Sequence, residues 1–493
     1  MAKTPSARRE PPRAQSVEEK FVEMTTRPVR SLIVALAVPA VISNLVTTIY
    51  NLADTFFIGQ ISTSASGAIG IAYAMMTLIQ AIGFFFGQGT GNAISRELGR
   101  KHIEEARVIA STGLAATLVA GTFVAVAGNL LIVPLCKLAG ATDTILPYAV
   151  TYMGLILTGA PWMAASLVLS NQLRFEGSST IAMVGLVTGS VVNFGLAPLL
   201  IFACGMGIAG AGLATIVCQG ISFVVLVVAN QRLGTVRLSL ARVRPSGRFF
   251  ATVVNGGIPS FFRQVVFAFA TICLNTAAAP YGDAAIAAVA IVMRVVSIGN
   301  CIQIGLGQGF QPVCGFNYGA AIYRRVRAGY LFSVKAAMAV LAGLCVLAFA
   351  FAPQIVGFFR NDPEVIAIGT ATLRFQCFSL PFTGVAMLTN FMLQTTGKVW
   401  RATFLGVARL GIFLAPTVIV LSSALGVQGI EMAQTVSDGI TLLVAVPMAA
   451  SLLGELGRLQ RQTDATRRAD VQRAVAAYVA AEEAGEHVVV IDA

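Results

Sequence analysis

Twelve apolar stretches, each longer than the roughly 20 residues a helix needs to cross a bilayer, decide what this chain can fold into. They run at about 32–58, 67–89, 108–132, 146–170, 180–204 and 208–230, then at 252–279, 284–307, 329–353, 368–392, 402–424 and 429–453. No water reaches the hydrocarbon to satisfy backbone amides, so a spanning segment must be a helix or part of a closed barrel. Stretches this long and continuously apolar read as helices. The pattern predicts an all-α polytopic membrane protein with twelve transmembrane helices.

Composition agrees. Of 493 residues 56% are hydrophobic and 11% charged, where a soluble domain carries about 25% charged residues. The net charge of +12 would suit nucleic acid only if the cations formed one face, and they do not. Of 34 Lys and Arg residues, 27 fall in the two tails and the loops of one side, 2 on the other side (Lys137 and Arg360) and 5 within spans. Excess cations mark the cytoplasmic side. The expected topology therefore has both termini cytoplasmic in a cell inner (plasma) membrane, with no nucleic-acid partner. It divides into an N-terminal tail at 1–30 that reads as disordered, a first lobe at 31–231, a basic linker at 232–250, a second lobe at 251–453 and a polar C-terminal tail at 454–493. The thirty polar residues ahead of the first span are unlike a cleavable signal peptide, which has a short n-region. Eight scattered cysteines without a C-x-x-C, and two histidines in polar stretches, indicate neither a disulfide framework nor a metal site.

The two lobes repeat each other. Gly87-Gln88-Gly89 returns as Gly307-Gln308-Gly309, and Pro39 as Pro259, both 220 residues on. Ala197-Pro198 returns as Ala415-Pro416, and Gly207-x-x-Gly210-x-x-x-Ala214 as Gly426-x-x-Gly429-x-x-x-Ala433. Six spans separate equivalent points, so the lobes share one orientation: two pseudo-symmetric six-helix lobes forming a parallel repeat, related by an axis along the membrane normal. Such lobes can face each other across a cavity and rock.

The first span carries the chain's most informative polar pattern. Asn44, Thr47, Asn51 and Asp54 recur at intervals of three or four and so share one helix face. A carboxylate at membrane depth costs about 3 kcal/mol if it faces lipid, so this face looks into a cavity or a bundle interior. Intramembrane carboxylates are proton or ion carriers in many pumps; the plainer alternative is an Asp that bonds a neighbouring helix.

Five stretches, taken with the spacing of the repeat, resemble a known family: Y-N-L-A-D-T-F-F-I-G (50–59), G-Q-G-T-G-N-A-I-S-R-E-L-G-R (87–100), L-R-F-E-G-S-S-T-I-A-M (173–183), G-Q-G-F-Q-P-V-C-G-F-N-Y-G-A (307–320) and A-R-L-G-I-F-L-A-P (408–416). In order and spacing they are similar to the multidrug and toxic compound extrusion (MATE) transporters, over essentially all of residues 31–453. The resemblance implies secondary antiport by alternating access. Small amphipathic, often cationic compounds would leave in exchange for protons or sodium ions, without a further cofactor. It implies a cation site built on Asp54, Asn193 and Thr215, and it marks Pro39 as a bending point and Tyr50 as part of the first-helix pattern. The family has an acid four residues after the fifth-helix Asn, where this chain has Ala197. A sodium ion wants several oxygens and charge compensation, so the expectation is proton coupling through Asp54, with sodium coupling as an alternative.

The second lobe has the opposite electrostatics. Arg263, Arg294 and Arg409 lie within spans, with Asp438 and Glu431 on the last. Buried charges normally pair, which predicts a structural ion pair between Arg409 and Asp438. Asn44, Thr47, Tyr50, Asn51, Gln303, Gln308, Arg263 and Arg294 are the expected substrate-cavity residues. A flippase of a lipid-linked precursor, with arginines holding phosphate, is the nearest alternative function. An embedded enzyme is disfavoured by the scarcity of His and the absence of a nucleophile–base set. The expected partners are small-molecule substrates and membrane lipid, around a monomer.

Overall fold

The computed structural model describes residues 16–483. Among them there is no strand. The long helices are α1 (Val29–Gly59), α2 (Thr63–Gly99), α3 (Ile103–Leu130), α4 (Leu146–Thr158 and Ala160–Phe175), α5 (Ser179–Pro198, continued by a π turn Leu199–Ala203) and α6 (Gly207–Leu233). The second set is α7 (Gly247–Ala278), α8 (Asp283–Gly319), α9 (Tyr323–Ala350), α10 (Pro363–Thr395), α11 (Val399–Leu425, with a π turn at Ala408–Ile412) and α12 (Val427–Glu483). Eleven are individually long and apolar enough to span a membrane, and α4, bent by 50° at Gly159, makes the twelfth.

Several boundaries differ from the sequence expectation. Helices α2 and α8 run about ten residues past their apolar stretches, because the polar residues there are buried against each other. Asn92, Ser95, Gln311 and Asn317 are all under 2% exposed. At the N-terminus, Val17–Thr26 is a helix closed by a Ser16/Glu19 capping box, which corrects the disordered tail expected there. It is tied down by Asn317 Nδ2 donating to Met24 O at 3.0 Å and by Arg325 donating to Arg27 O at 2.6 Å. Residues 1–15 lie outside the described set. The expected C-terminal tail is likewise helical as far as Glu483, continuous with α12; its last ten residues lie outside the described set.

The lobes meet along α2 with α7, α1 with α8, and α2 with α8, and the repeated Gly-Gln-Gly motif makes the first two crossings. A Cβ on Gly89 would stand 2.5 Å from Val253 O of α7, and one on Gly309 would stand 2.6 Å from Ala37 Cα of α1. Only glycine permits that approach. The other glycine of each motif packs inside its own lobe, Gly87 on Asn171 and Gly307 on Phe391. The glutamines between them bind across: Gln88 donates to Asn171 (3.1 Å) and accepts from Gln311 (3.0 Å), while Gln308 accepts from Asn44 (3.2 Å).

At the end that carries both tails the seam is closed. Gly315 packs on Ser95, Gly319 on Arg96 O, and Gly99 on Phe316 O. Thr395 donates to Asn92 (2.7 Å), and Arg96 donates to Thr395 O (2.8 Å). Toward the far end, the last interlobe hydrogen bond among the described residues joins Thr48 to Cys301 at 3.2 Å.

The basic linker is stitched to the first lobe by its backbone. Ser239 N donates to Ser111, Arg244 N to Thr112, and Thr235 N and Val236 N to the Glu176 carboxylate at 2.9 and 3.2 Å. Glu176 follows the last residue of α4 and is fully buried. Burial pushes its carboxyl up to about 8, against the two amide hydrogen bonds and the charge of Lys20. A carboxyl held above its ordinary 4.5 favours the fold when protonated. Its contribution is full at or below that ordinary value and is lost as pH rises toward about 8. Glu176→Gln keeps an acceptor for both amides and does not titrate. Its melting temperature in detergent is expected to vary less than the parent's across that interval, and an unchanged slope would refute the assignment.

Candidate functional site

Asp54 lies five residues before the end of α1, roughly 8 Å from its far end. It is 8% exposed, and its surroundings come from three other helices. Tyr152 of α4 donates to Oδ2 across 3.5 Å, and Oδ1 has no partner among the described residues. Tyr50, one turn earlier on α1, and Tyr152 both reach the Thr215 side chain of α6. Asn193 of α5 lies against Cys218, with its Nδ2 buried and unpartnered. The structure thus gathers Asp54, Asn193 and Thr215 into one layer, with Tyr50, Tyr152 and Cys218 filling it. Ala197 is fully buried in the adjoining apolar cluster and offers no oxygen side chain. No cation lies within ion-pair distance of Asp54 among the described residues. The layer therefore holds one titratable acid, a neutral amide and hydroxyls.

Beneath this layer a cavity of about 170 Å³ is lined by Asn44, Thr47, Tyr50, Asn51, Asn171, Asn193 and Gln308. Three residues of the α1 polar face predicted from its spacing, Asn44, Thr47 and Asn51, line this cavity, and Asp54 lies one turn beyond it. Its one charged lining residue is Arg174, which the count of loop cations had placed outside the spans. The structure makes Arg174 the penultimate residue of α4 and buries it to 4% exposure, because α4 continues past its apolar run. Its Nε and Nη2 are buried without partners among the described residues.

A second cavity of about 350 Å³ lies mainly in the second lobe and reaches Thr48 and Tyr73 of the first. Gln80 borders both cavities. Arg409 lines the larger one and is paired: its Nε donates to Asp438 Oδ1 at 2.7 Å, and Ser379 donates to Oδ2 at 3.0 Å. Arg263 lines it too, stacked over the Phe391 ring at 5.2 Å, with Nη1 buried and unpartnered among the described residues.

Two expected cavity residues are elsewhere. Gln303 is 1% exposed and donates to Thr383 at 2.6 Å and to Leu380 O at 3.4 Å, so it bonds α8 to α10 and lines neither cavity. Arg294 is exposed and also lines neither. The α8 residues that line the cavity are Met293, Val296, Ser297, Asn300, Cys301 and Ile304; Arg294 sits at the edge of that face, beside the turn of Cys301, and its side chain is exposed. Pro39 sits buried inside α1, between Ala37 and Val41, which pack on Gly309 and Gly305 of α8. Its ring removes one amide donor from the helix at that seam.

Sequence reasoning missed Tyr152, Arg174 and Phe391. Tyr152 and Phe391 sit in apolar runs where an aromatic residue carries no signal of its own. Arg174 had one: a cation in L-R-F-E, beside an acid that the linker occupies.

Comparison with known proteins agrees with the two-lobed fold. The MatE family pattern matches the chain twice, at residues 39–199 and 259–420, once in each lobe. The multidrug export protein MepA of Staphylococcus saprophyticus is 26% identical over 412 residues, 83% of this chain and 91% of that protein. MepA of Staphylococcus aureus is 25% identical over 434 residues, covering 87% and 95%. A MOP superfamily transporter from Pyrococcus furiosus has the same fold, with a TM-score of 0.84 at 24% identity over 89% of this chain and 99% of that one.

Proposed function

Because the chain belongs to the MatE family of membrane transporters, we propose that it is a secondary antiporter. It exports small amphipathic compounds, drugs and toxic metabolites among them, in exchange for protons. The observation that carries this reading is Asp54: a buried carboxylate with no counter-cation within ion-pair distance among the described residues, one helical turn beyond Tyr50 and Asn51 of a polar cavity, in a lobe whose apolar stretches hold no other acid. Such a group can take a proton from one side and release it to the other when the path to it switches. The family membership and the MepA relatives support export of several compounds over a single-substrate carrier.

The seam supports alternating access as part of this reading. The tail end is shut by glycine contacts that allow backbone touching, and among the described residues the far end has no interlobe hydrogen bond beyond Thr48. Rocking the lobes would exchange these two conditions, with Pro39 giving α1 a place to bend where it touches α8. With the cation-rich side cytoplasmic, both tails lie inside the cell membrane and the Asp54 layer lies toward the outside, where an inward proton gradient loads it. Sodium coupling is the weaker reading, since Ala197 leaves one carboxylate and the neutral oxygens of Asn193 and Thr215.

The test is dye export from proteoliposomes under an imposed pH gradient, compared with an imposed sodium gradient at equal pH on both sides. Export is expected in the first arm only. Sodium-driven export without a pH gradient would overturn proton coupling.

A further inference from the structure

The larger cavity has a charge that a receptor for simple cations would not carry. Its lining includes two arginines and no acid. Arg409 is neutralised by Asp438, so the cavity's net charge is that of Arg263. A desolvated guanidinium is costly to keep. Here its plane lies over the face of Phe391, and its Nη1 is buried without a hydrogen-bond partner among the described residues. The lining of the same cavity also carries the neutral amides Gln264, Asn300 and Gln376. They can complete the shell of an oxyanion. Phe267, Met293, Met387, Leu274 and Leu405 contribute apolar lining suited to an aromatic or aliphatic body, in a volume within the range of small-molecule sites.

We infer that this cavity is a binding site for the anionic group, carboxylate or phosphate, of an amphiphile, with the Arg263 guanidinium as its partner. Transported compounds then include zwitterions and anions, a substrate class the Asp54 layer alone would not select. A planar fork that binds carboxylate or phosphate oxygens in pairs is what arginine offers over lysine. The first-lobe cavity also has an arginine as its charged lining residue, Arg174, whose Nε and Nη2 are buried without partners among the described residues. The inference rests on the export reading only in placing this cavity on the transport path; binding needs no gradient.

The test is therefore made at equilibrium on the purified full chain in detergent. Fluorescence anisotropy compares a rhodamine bearing a free benzoate with its methyl ester, two dyes that differ at one oxygen. The parent protein is expected to bind the benzoate about 10-fold or more tighter, the order of a charge-assisted pair. Arg263→Gln is expected to bring the two affinities to the same value, whatever that value is. Arg263→Lys, which keeps the charge and loses the fork, is expected to fall between. Equal affinity of both dyes for the parent overturns the inference even if the variants fail to fold, and so does an undiminished preference in a folded Arg263→Gln. Failure of proton-driven export would leave this result standing, so the two readings fail separately. Competition then identifies the source. Displacement of the benzoate dye by short-chain phosphatidate, but not by short-chain phosphatidylcholine, supports a lipid headgroup at Arg263. Displacement by soluble aromatic carboxylates alone supports a free amphiphile.

Discussion

Asp54→Asn is expected to abolish export driven by a proton gradient while leaving the protein folded. The amide has the size of the carboxylic acid and still accepts from the Tyr152 hydroxyl, but it exchanges no proton in the range a cell imposes. Accumulation against a gradient should fall by at least about 10-fold, to the leak of empty vesicles, which removes the larger part of a proton-coupled cycle. Stability should move the other way or not at all. A buried carboxylate with no cation within ion-pair distance and an unpartnered Oδ1 is a cost to the fold, and neutralising it removes that cost. A melting temperature in detergent equal to or above the parent's, together with lost coupling, identifies Asp54 as the carrier. Lost export with a collapsed melting temperature identifies it as structural. Robust gradient-driven export by the variant would refute the mechanism outright. Tyr152→Phe is the milder companion: it removes the one hydrogen bond to the carboxylate and should shift the pH at which export is half-maximal without abolishing it.

How much of this was legible in the sequence depends on whether a residue's role is written in its own periodicity. The α1 face was, because Asn44, Thr47, Asn51 and Asp54 are polar exceptions at helical spacing in an apolar run, and only one orientation keeps them out of lipid. The repeat was legible as well, since Gly-Gln-Gly must recur where two lobes cross by the same backbone contact. Arg174 was not. The count of loop cations ends a span where hydrophobicity ends, whereas α4 continues until Gly177 turns the chain at φ +83°. Gln303 and Arg294 were misplaced for a related reason. Hydrophobicity gives the depth of a residue on α8 but not which of three neighbours, the cavity, α10 or the outer surface, its side chain meets. The N-terminal helix escaped because its apolar content is small; its order comes from Asn317 and Arg325, nearly three hundred residues away.

The other large effect expected is at Arg409 and Asp438, where the order of the single and double variants carries the information. The pair is close, at 2.7 Å, with Asp438 about 4% and Arg409 about 16% exposed at the side chain. Removing one partner leaves the other desolvated and unpaired, which costs on the order of 3–5 kcal/mol in buried pairs. Arg409→Leu leaves Asp438 with Ser379 as its remaining donor. Asp438→Leu leaves a second uncompensated guanidinium in a cavity that already holds Arg263. Both singles should lose yield of folded protein and several degrees of melting temperature. The double variant removes both charges and should recover most of that loss, since replacing a buried pair with apolar residues is often close to neutral. Arg409 also holds the π turn of α11 to α12 through Ser437, whose hydroxyl donates to the Arg409 carbonyl at 2.6 Å. That bond is to backbone and survives every variant, so the cycle isolates the side-chain pair. A double variant whose destabilisation equals the sum of the singles would show that the two charges act independently. The Arg409 charge would then be free to add to that of Arg263 in the cavity.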